Sequence, residues 1–583
     1  MSKKVVIVGG VAGGASAAAR LRRLDETAEI IMFERDEHIS FANCGLPYYI
    51  GETITDRDEL LIQTPESLKA RFNIDARIHS EVIELDTVKK TVKVKSLDRG
   101  IYEESYDYIV LSPGAKAIRP NIEGINSDRI LTLRNIADTD KIKEYVDRED
   151  VKRVVVIGGG YVGVEMAENL IERGLKTTLV EAAPHILAPF DSDISVILEK
   201  ELSVHGIDVV LGDGVKAFKE ENNIVNVVLN SGKEITSDLV ILAIGVLPDT
   251  GFLKDTQVKL GTRGHILVNE KMETSVDGIY AVGDAIEVID FVNNQSVGIP
   301  LAGPANKQGR IAADNIAGLA TLYKGTLGTS IIKVFNLIAA STGNNERTLK
   351  RLNIPYKAIF IHPVSHASYY PGAKQMTLKL LFNQEGIILG AQAVGEEGVD
   401  KRIDVIATSI RYHGTIYDLS ELELAYAPPF SSAKDPVNMA GFVAENVLAG
   451  RMDVITPEQY LDTIATSVAA SASNAAQNSL LLDVRTVSEF ERGHIEGALN
   501  IPVDDLRIRM KELDKDKEII EYCQVGLRGY IAARILKQNG FKVKNITGGY
   551  KSASTLNFKL AKIDKVKPAE RHIDPDTQTE KSK

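Results

Sequence analysis

The hydrophobic pattern of the first half of the chain breaks into short β-rich runs that end in glycine and hand over to helices. Residues 4–8 (Lys-Val-Val-Ile-Val) form the first run and close on Gly9-Gly10-Val11-Ala12-Gly13-Gly14. A small-residue helix is predicted over 15–24, then a second strand over 29–33 ending at Glu34. Strand, glycine turn, helix, strand and acid is the layout of a dinucleotide-binding unit. The glycines let the backbone approach a pyrophosphate, and the helix N-terminus offers it partial positive charge. Glu34 is placed to accept hydrogen bonds from ribose hydroxyls. Val11 occupies the position of the middle glycine, so this occurrence alone is weak.

The second occurrence carries every feature. A strand over 153–157 runs into Gly158-Gly159-Gly160-Tyr161-Val162-Gly163, a helix follows to Arg173, then a strand over 176–180 and Glu181. An acid there bonds the 2′-hydroxyl of NAD and repels a 2′-phosphate, so NADH is expected over NADPH. Two further strands end near Gly114 and Gly245, each fitting a chain that crosses back beside a bound nucleotide. The run Tyr280-Ala281-Val282-Gly283-Asp284 then closes a strand on an acid at a helix start.

Composition narrows the field. With 583 residues the chain is too long for one core, and about three to five domains are expected. Net charge is -11, which argues against nucleic acid, and no apolar run approaches the roughly 20 residues of a membrane span. Two cysteines make no disulfide framework and fit a reducing, cytoplasmic setting. No metal site is expected. Both thiols fall in motif-like loops. Cys44 lies in Ser40-Phe41-Ala42-Asn43-Cys44-Gly45-Leu46-Pro47, and Cys523 is hundreds of residues away. Cys44 therefore has no local partner and would act alone, through a mixed disulfide with an external molecule.

Residues from about 325 to 450 form an α+β segment with strands at 331–335 and 376–382. Tyr369-Tyr370-Pro371-Gly372 and Tyr426-Ala427-Pro428-Pro429 are tyrosine loops within it. Residues 465–478 are almost wholly Ala, Ser, Thr, Gln and Asn, a boundary zone. A compact domain follows to about 565, then a charged polar tail from Pro568 that is expected to be disordered. The centre of this last domain is a strand over 518–522, the loop Cys523-Gln524-Val525-Gly526-Leu527-Arg528, and a helix over 529–538. Loop N–H groups, the helix dipole and the Arg528 charge are each expected to lower the Cys523 pKa.

Gly9 to Glu34, Gly158 to Glu181 and the Tyr280–Asp284 run together resemble the flavin-dependent pyridine nucleotide–disulfide oxidoreductases. The resemblance implies an α/β chain of two nested Rossmann-like domains, FAD-binding over 1–115 and 246–322 and NAD(P)H-binding over 116–245. It further implies an α+β dimerisation domain over 323–450 and a homodimer. FAD contacts are expected from Gly9, Gly13, Gly14, Glu34, Arg35, Ser112, Pro113, Gly114, Arg134, Gly283, Asp284 and Ala302. Nucleotide contacts are expected from Gly158, Gly160, Gly163, Glu181 and Gly245.

The surroundings of the single cysteine, 40–50, resemble the coenzyme A-disulfide reductases and their persulfide-reducing relatives. In that resemblance Cys44 attacks the substrate sulfur and holds CoA as a mixed disulfide, with thiolate character from the flavin and a nearby helix terminus. CoA would be contacted by Ser16, Arg20, Arg23, Ser40, Asn43, Asn306 and Lys434, although Asn306 departs from the histidine of some relatives. Tyr426 and one of Tyr369 and Tyr370, with Tyr370 taken forward, would serve the neighbouring subunit's CoA sulfur. Residues 481–485, 489–498 and 523–528 resemble rhodanese, a sulfurtransferase, placed at 479–567 after a linker over 451–478. Cys523 and Arg528 would carry its sulfane sulfur. The expected activity is FAD-dependent NAD(P)H reduction of CoA disulfide, CoA persulfide or polysulfide, with hydrosulfide as product. The alternatives are an NADH oxidase or peroxidase cycling through sulfenic acid, and a redox-responsive protein that uses the rhodanese as a docking module.

Overall fold

The computed structural model describes residues 2–469, 479–556 and 558–561. The chain forms two compact units, Met1–Ala358 with Pro363–Glu445, and Ile359–His362 with Asn446–Lys583.

The first unit holds two parallel sheets. One orders the strands Ile279–Ala281, Tyr108–Leu111, Lys4–Val8, Glu29–Phe33 and Asp75–Arg77 side by side. Val5, Val6 and Ile7 are fully buried because a parallel sheet is covered on both faces. Residues 4 and 279 share one sheet, so the first nucleotide unit is interrupted by the second. The other sheet orders Ile130–Thr132, Leu239–Leu242, Arg153–Ile157, Lys176–Glu181 and Asp208–Leu211. Ala115–Ala117 and Val246–Pro248, paired antiparallel, carry the chain from one sheet to the other and back.

The helix Ala12–Leu24 begins three residues earlier than the sequence predicts, so Gly13 and Gly14 lie within its first turns. The reason is packing. A Cβ on Gly14 would stand 1.9 Å from the Gly9 carbonyl oxygen, and one on Gly309 would stand 2.2 Å from that of Gly13. Small residues thus bring this helix against both its own turn and the helix Ala302–Ile316.

Antiparallel strands Ser330–Val334, Leu337–Gly343, Ile388–Gly395 and Met376–Phe382 pair in that order. Lys379, fully buried on the last of them, places its Nζ 2.9 Å from Asp191, 2.7 Å from Asp193 and 2.7 Å from Glu346. This cluster fixes the start of the helix Ser192–Val204 to the antiparallel sheet. Burial pushes Asp193 up to about 7, and Lys379 holds Glu346 down at about 2 against the effect of burial.

The second unit is built on a parallel sheet in the order Val454–Ile455, Lys542–Ile546, Glu518–Tyr522, Ser479–Asp483, Leu499–Asn500. The expected linker over 451–478 is therefore partly structural. Val454–Ile455 supplies an edge strand, and Pro457–Ala469 is a helix. The edge strand escaped the sequence reading because two residues carry almost no apolar pattern, whereas partial helix was expected in the neighbouring boundary zone. Residues 470–478 and 562–583, which include the expected tail, lie outside the described residues. Ile359–His362, expected in the dimerisation domain, clusters with this unit. Phe360 N donates to Thr547 Oγ1 at 2.8 Å, and His362 Nε2 lies 2.9 Å from Ser552 Oγ.

Candidate active site

Two cavities mark the two glycine turns. The first, about 630 Å3, is lined by Gly9, Glu34, Arg35, Ser112–Gly114, Asn43 and Arg134 among others. Gly9 has φ +90°, and a Cβ there would stand 2.2 Å from the Ser112 carbonyl oxygen, so the turn presents bare backbone. Glu34 accepts from Gly10 N and Asp36 N, both at 3.2 Å, which leaves acceptor capacity for hydroxyls at the cavity's far end. Arg35 pairs with Asp249, a lining acid the sequence did not point to. Arg134 donates to the Ala115 carbonyl at 2.8 Å and to Asp284 at 3.1 Å. A cavity of this size with an acid at the second strand's end fits an adenine dinucleotide such as FAD. Gly13, Gly14, Gly283 and Ala302 do not line this cavity; Gly13 and Gly14 are buried in helix packing, and Ala302 is exposed at the start of the helix Ala302–Ile316.

The second cavity, about 530 Å3, is lined by Gly158, Gly160, Glu181, Gly245 and neighbours. Gly158 has φ +107°, and a Cβ on Gly163 would lie 1.8 Å from its carbonyl oxygen, so the helix Tyr161–Glu172 abuts the turn. Glu181 is fixed by Gly159 N at 2.6 Å and Ala183 N at 2.7 Å. No lysine or arginine lines this cavity. These features fit a nicotinamide dinucleotide without a 2′-phosphate.

Cys44 sits in the single turn Asn43–Gly45, directly before the short helix Leu46–Ile50. It is exposed. In the amide orientation that satisfies both groups, Asn43 donates to the Arg134 carbonyl and accepts from Arg134 Nη1, each at 3.0 Å. Arg134 therefore joins the cysteine turn to Asp284. The thiolate character expected from a helix terminus is not supplied by the polypeptide. Crowding of the sulfur, then the Glu165 and Asp284 carboxylates, push the thiol up, and only Arg134 opposes them. The five-residue helix is too short to offset two carboxylates. Glu165 itself is pushed up to about 7 by burial, and Tyr48 Oη lies 3.5 Å from it. Both were missed in the sequence, although Glu165 falls two residues after Gly163 on the helix of the clean glycine motif.

Four of the seven residues expected to hold CoA, Ser16, Arg20, Arg23 and Asn306, fall on two packed helices. Ser16 Oγ donates to Asn306 Oδ1 at 2.6 Å, and Arg20 Nε to Asp314 at 2.6 Å. Arg23 is exposed, while the adjacent Arg22 is buried and donates to five backbone carbonyls, a structural role. Ser40 is only 6% exposed and its strand pairs with Gln63, so it offers an incoming ligand little access. Lys434 is exposed. Among the described residues, no hydrogen bond or ion pair joins it or the loop tyrosines to the Cys44 turn. Tyr369 Oη lies 2.9 Å from Tyr426 Oη, whereas Tyr370 packs edge-on against His366 at 5.6 Å. The tyrosine partnered with Tyr426 is thus Tyr369, not Tyr370. Two adjacent tyrosines on a loop point to different sides, and spacing alone could not choose between them.

In the second unit Cys523 is buried and accepts from Gly526 N at 3.0 Å. Its thiol is pushed up by burial and by Glu521, with the N–H groups of Gly529, Gly526 and Val525 opposing. The helix runs Leu527–Gln538 and so includes Arg528 in its first turn. Arg528 does not turn its charge to the thiol alone. It is held by both oxygens of Glu489, at 2.6 and 2.8 Å, which keeps Glu489 down at about 2. Arg485 is bound likewise to Asp483 at 2.7 Å. A cavity of about 280 Å3 opens beside the loop, lined by Arg485, Glu489, Arg492, Gly493, Gln524 and Tyr550.

Residues 3–309 match the family model described as pyridine nucleotide-disulphide oxidoreductase. The chain belongs to this family. Residues 329–436 match the dimerisation domain of the same oxidoreductases, and 467–555 a rhodanese-like domain. This oxidoreductase is similar to a solved structure of reduced Bacillus anthracis CoADR-RHD, at 51% identity over 95% of this chain and 98% of that one, TM-score 0.91. It is also similar to an NAD-dependent persulfide reductase from A. fulgidus, at 36% identity over 94% and 99%, TM-score 0.86. A coenzyme A disulfide reductase of Staphylococcus aureus (strain Newman) is 40% identical over 445 residues, 76% of this chain and 100% of its own. The flavoprotein is therefore an oxidoreductase that also carries a rhodanese-like domain. Among its described residues no helix is long and apolar enough to cross a membrane.

Proposed function

We propose that this oxidoreductase is a homodimeric, FAD-containing NADH:CoA-disulfide or CoA-persulfide reductase, with Cys523 delivering sulfane sulfur and hydrosulfide leaving as product. The observation that carries the reading is the solitary Cys44 on the turn that Asn43 and Arg134 fasten to the larger cavity. The names of the similar proteins support CoA and persulfide as the substrate class.

Gly9, Glu34, Arg35, Ser112, Arg134 and Asp284 would hold FAD, and Gly158, Gly160 and Glu181 would hold NADH; NADPH is disfavoured by Glu181 but not barred. Bound together, they supply two electrons to the sulfur at Cys44. The Cys44 thiolate attacks a CoA disulfide sulfur, forming Cys44–S–S–CoA as a CoA thiolate departs. Arg134 favours that thiolate. Arg20 and Arg23 suit the CoA phosphates through forked donors, with Ser16 and Asn306 nearby. Tyr426 and Tyr369 offer a phenol to protonate a leaving thiolate, with each pair serving the neighbouring subunit of the dimer. Two electrons and a proton then restore Cys44 and free CoA. In the persulfide branch the CoA thiolate takes the outer sulfur of a Cys523 persulfide, releasing the Cys523 thiolate, and Cys44 then attacks the inner sulfur of the CoA persulfide, forming Cys44–S–S–CoA as hydrosulfide departs.

Mass spectrometry of the unreduced protein tests the class, with a CoA adduct on Cys44 expected. Stoichiometric peroxide consumption and no CoA would favour the oxidase or peroxidase alternative instead. Cys523→Ser is expected to spare CoA-disulfide turnover and slow thiosulfate- or persulfide-dependent hydrosulfide release; equal rates would sink the relay.

A further inference from the structure

Beneath the Cys523 loop lies a carboxylate that the proposed chemistry does not use. Glu521 is on the strand Glu518–Tyr522, two residues before the cysteine, and is wholly buried. Residues two apart on a strand share a face, and the contacts agree. A Cβ on Gly529 would stand 3.1 Å from Glu521 Oε2, and the Gly529 N–H also bears on the Cys523 sulfur. Both side chains therefore face the first turn of the helix Leu527–Gln538. Glu521 Oε1 accepts from Asn545 Nδ2 at 2.6 Å, while Oε2 has no hydrogen-bond partner.

We propose that Glu521 is a positioning residue for the sulfur carrier. It and Cys523 share one negative charge, so that the cysteine ionises only while Glu521 is protonated. The reason is charge balance in a dry pocket. One helix N-terminus offers about half a positive charge, and the surrounding cations are already matched. From the helix comes Arg528, bound to Glu489; from the strand Ser479–Asp483 comes Asp483, bound to Arg485. The strand Lys542–Ile546 contributes only the neutral Asn545. Two buried anions under one helix end would repel without compensation. Burial pushes Glu521 up to about 8, with Asp483 adding to the effect, so at neutral pH the carboxyl holds the proton and the helix end is left to the sulfur. Attack of the Cys523 thiolate on the outer sulfur of a persulfide donor R–S–SH, with R–SH departing, then gives the persulfide anion and leaves Glu521 an acid.

The inference rests on Cys523 as sulfur carrier but is tested without sulfur transfer. In the full-length protein, the pH dependence of Cys523 alkylation by iodoacetamide is followed by peptide mass spectrometry, which separates it from Cys44. The wild-type profile is expected to be broad, covering two coupled ionisations. Glu521→Gln keeps an acceptor for Asn545 and removes the charge, and should give a single step with a midpoint about one pH unit lower, roughly tenfold faster alkylation just below the wild-type midpoint. Superimposable profiles would overturn the proposal. Should Glu521→Gln fail to fold, infrared difference spectra of Asn545→Leu against wild type at neutral pH give the second readout: a protonated carboxyl band altered by the change supports it, and no such band rejects it. A shifted profile in a protein with no sulfurtransferase activity would keep the charge coupling and reject the carrier role alone.

Discussion

The hydroxyls of Tyr369 and Tyr426 lie 2.9 Å apart, linking two loops 57 residues apart in sequence. Both rings are exposed, Tyr369 at 74% and Tyr426 at 47%. An exposed pair of phenols held by one hydrogen bond is preorganised for a ligand that covers it. The bond also makes Tyr369 a weaker acid than usual, which keeps it a proton donor.

If the pair protonates a leaving CoA thiolate, Tyr426→Phe should lower kcat for CoA disulfide by about 10²-fold, the lower end of general-acid effects. Tyr369→Phe should cost about as much, since it removes the partner that orients Tyr426, and Tyr370→Phe should change little. Steady-state kinetics of the three variants check this. An effect confined to Tyr370 would return the role to the residue the sequence reading took forward.

Glu165 sets a pH dependence at Cys44. Its carboxyl titrates at about 7, and in its charged form it pushes the thiol up. The penalty is therefore absent well below pH 7 and grows as pH rises through it. Glu165→Gln should lower the thiol pKa and speed iodoacetamide labelling of reduced, CoA-free Cys44 at pH 8 by about threefold to tenfold. At pH 6 the variant and wild type should coincide.

Glu181 accepts from Gly159 N and Ala183 N and lines the second cavity. Glu181→Ala should raise KM for NADH by about tenfold, the value of one charge-assisted hydrogen bond, and lower KM for NADPH by removing the charge that repels its 2′-phosphate. Parallel titrations with the two nucleotides measure the ratio.

Lys379 is surrounded by three carboxylates in a site closed to water. Lys379→Met would leave those charges buried and unpaired and should cost about 3–5 kcal/mol, read as a lower first thermal transition of the apoprotein. The pH signs differ within the cluster. Asp193 is raised, so its contribution is complete below its ordinary range and fades as pH rises through about 7. Glu346 is depressed, so its contribution is complete above the ordinary carboxylate range and fades as pH falls towards about 2. The first transition should be highest in mildly acidic solution, between these limits.

The two glycine turns, their closing acids and the family they mark were legible in the sequence. A strand, a turn of bare backbone and a helix N-terminus are local features, and local features are written in consecutive residues. The same holds for Cys44 and Cys523, each conspicuous because the chain has no other cysteine. What was not legible was pairing. Arg528 reads as a charge for Cys523 until Glu489, 39 residues away, is seen to bind it at both oxygens. Arg20 reads as an unpaired cation until Asp314 is found against its Nε. A linker turns out to hold an edge strand because its partner, Lys542–Ile546, lies far along the chain.

The sequence by itself determined two dinucleotide turns and two solitary cysteines in motif-like loops, because backbone geometry and nucleophiles depend on residue type. Only the tertiary structure decided the charge each thiol meets. Glu165 and Asp284 reach Cys44 from other elements of the fold, and Glu521, two residues from Cys523 in sequence, is wholly buried only by the elements packed over it. Electrostatic effects depend on distance and burial, which no residue order records.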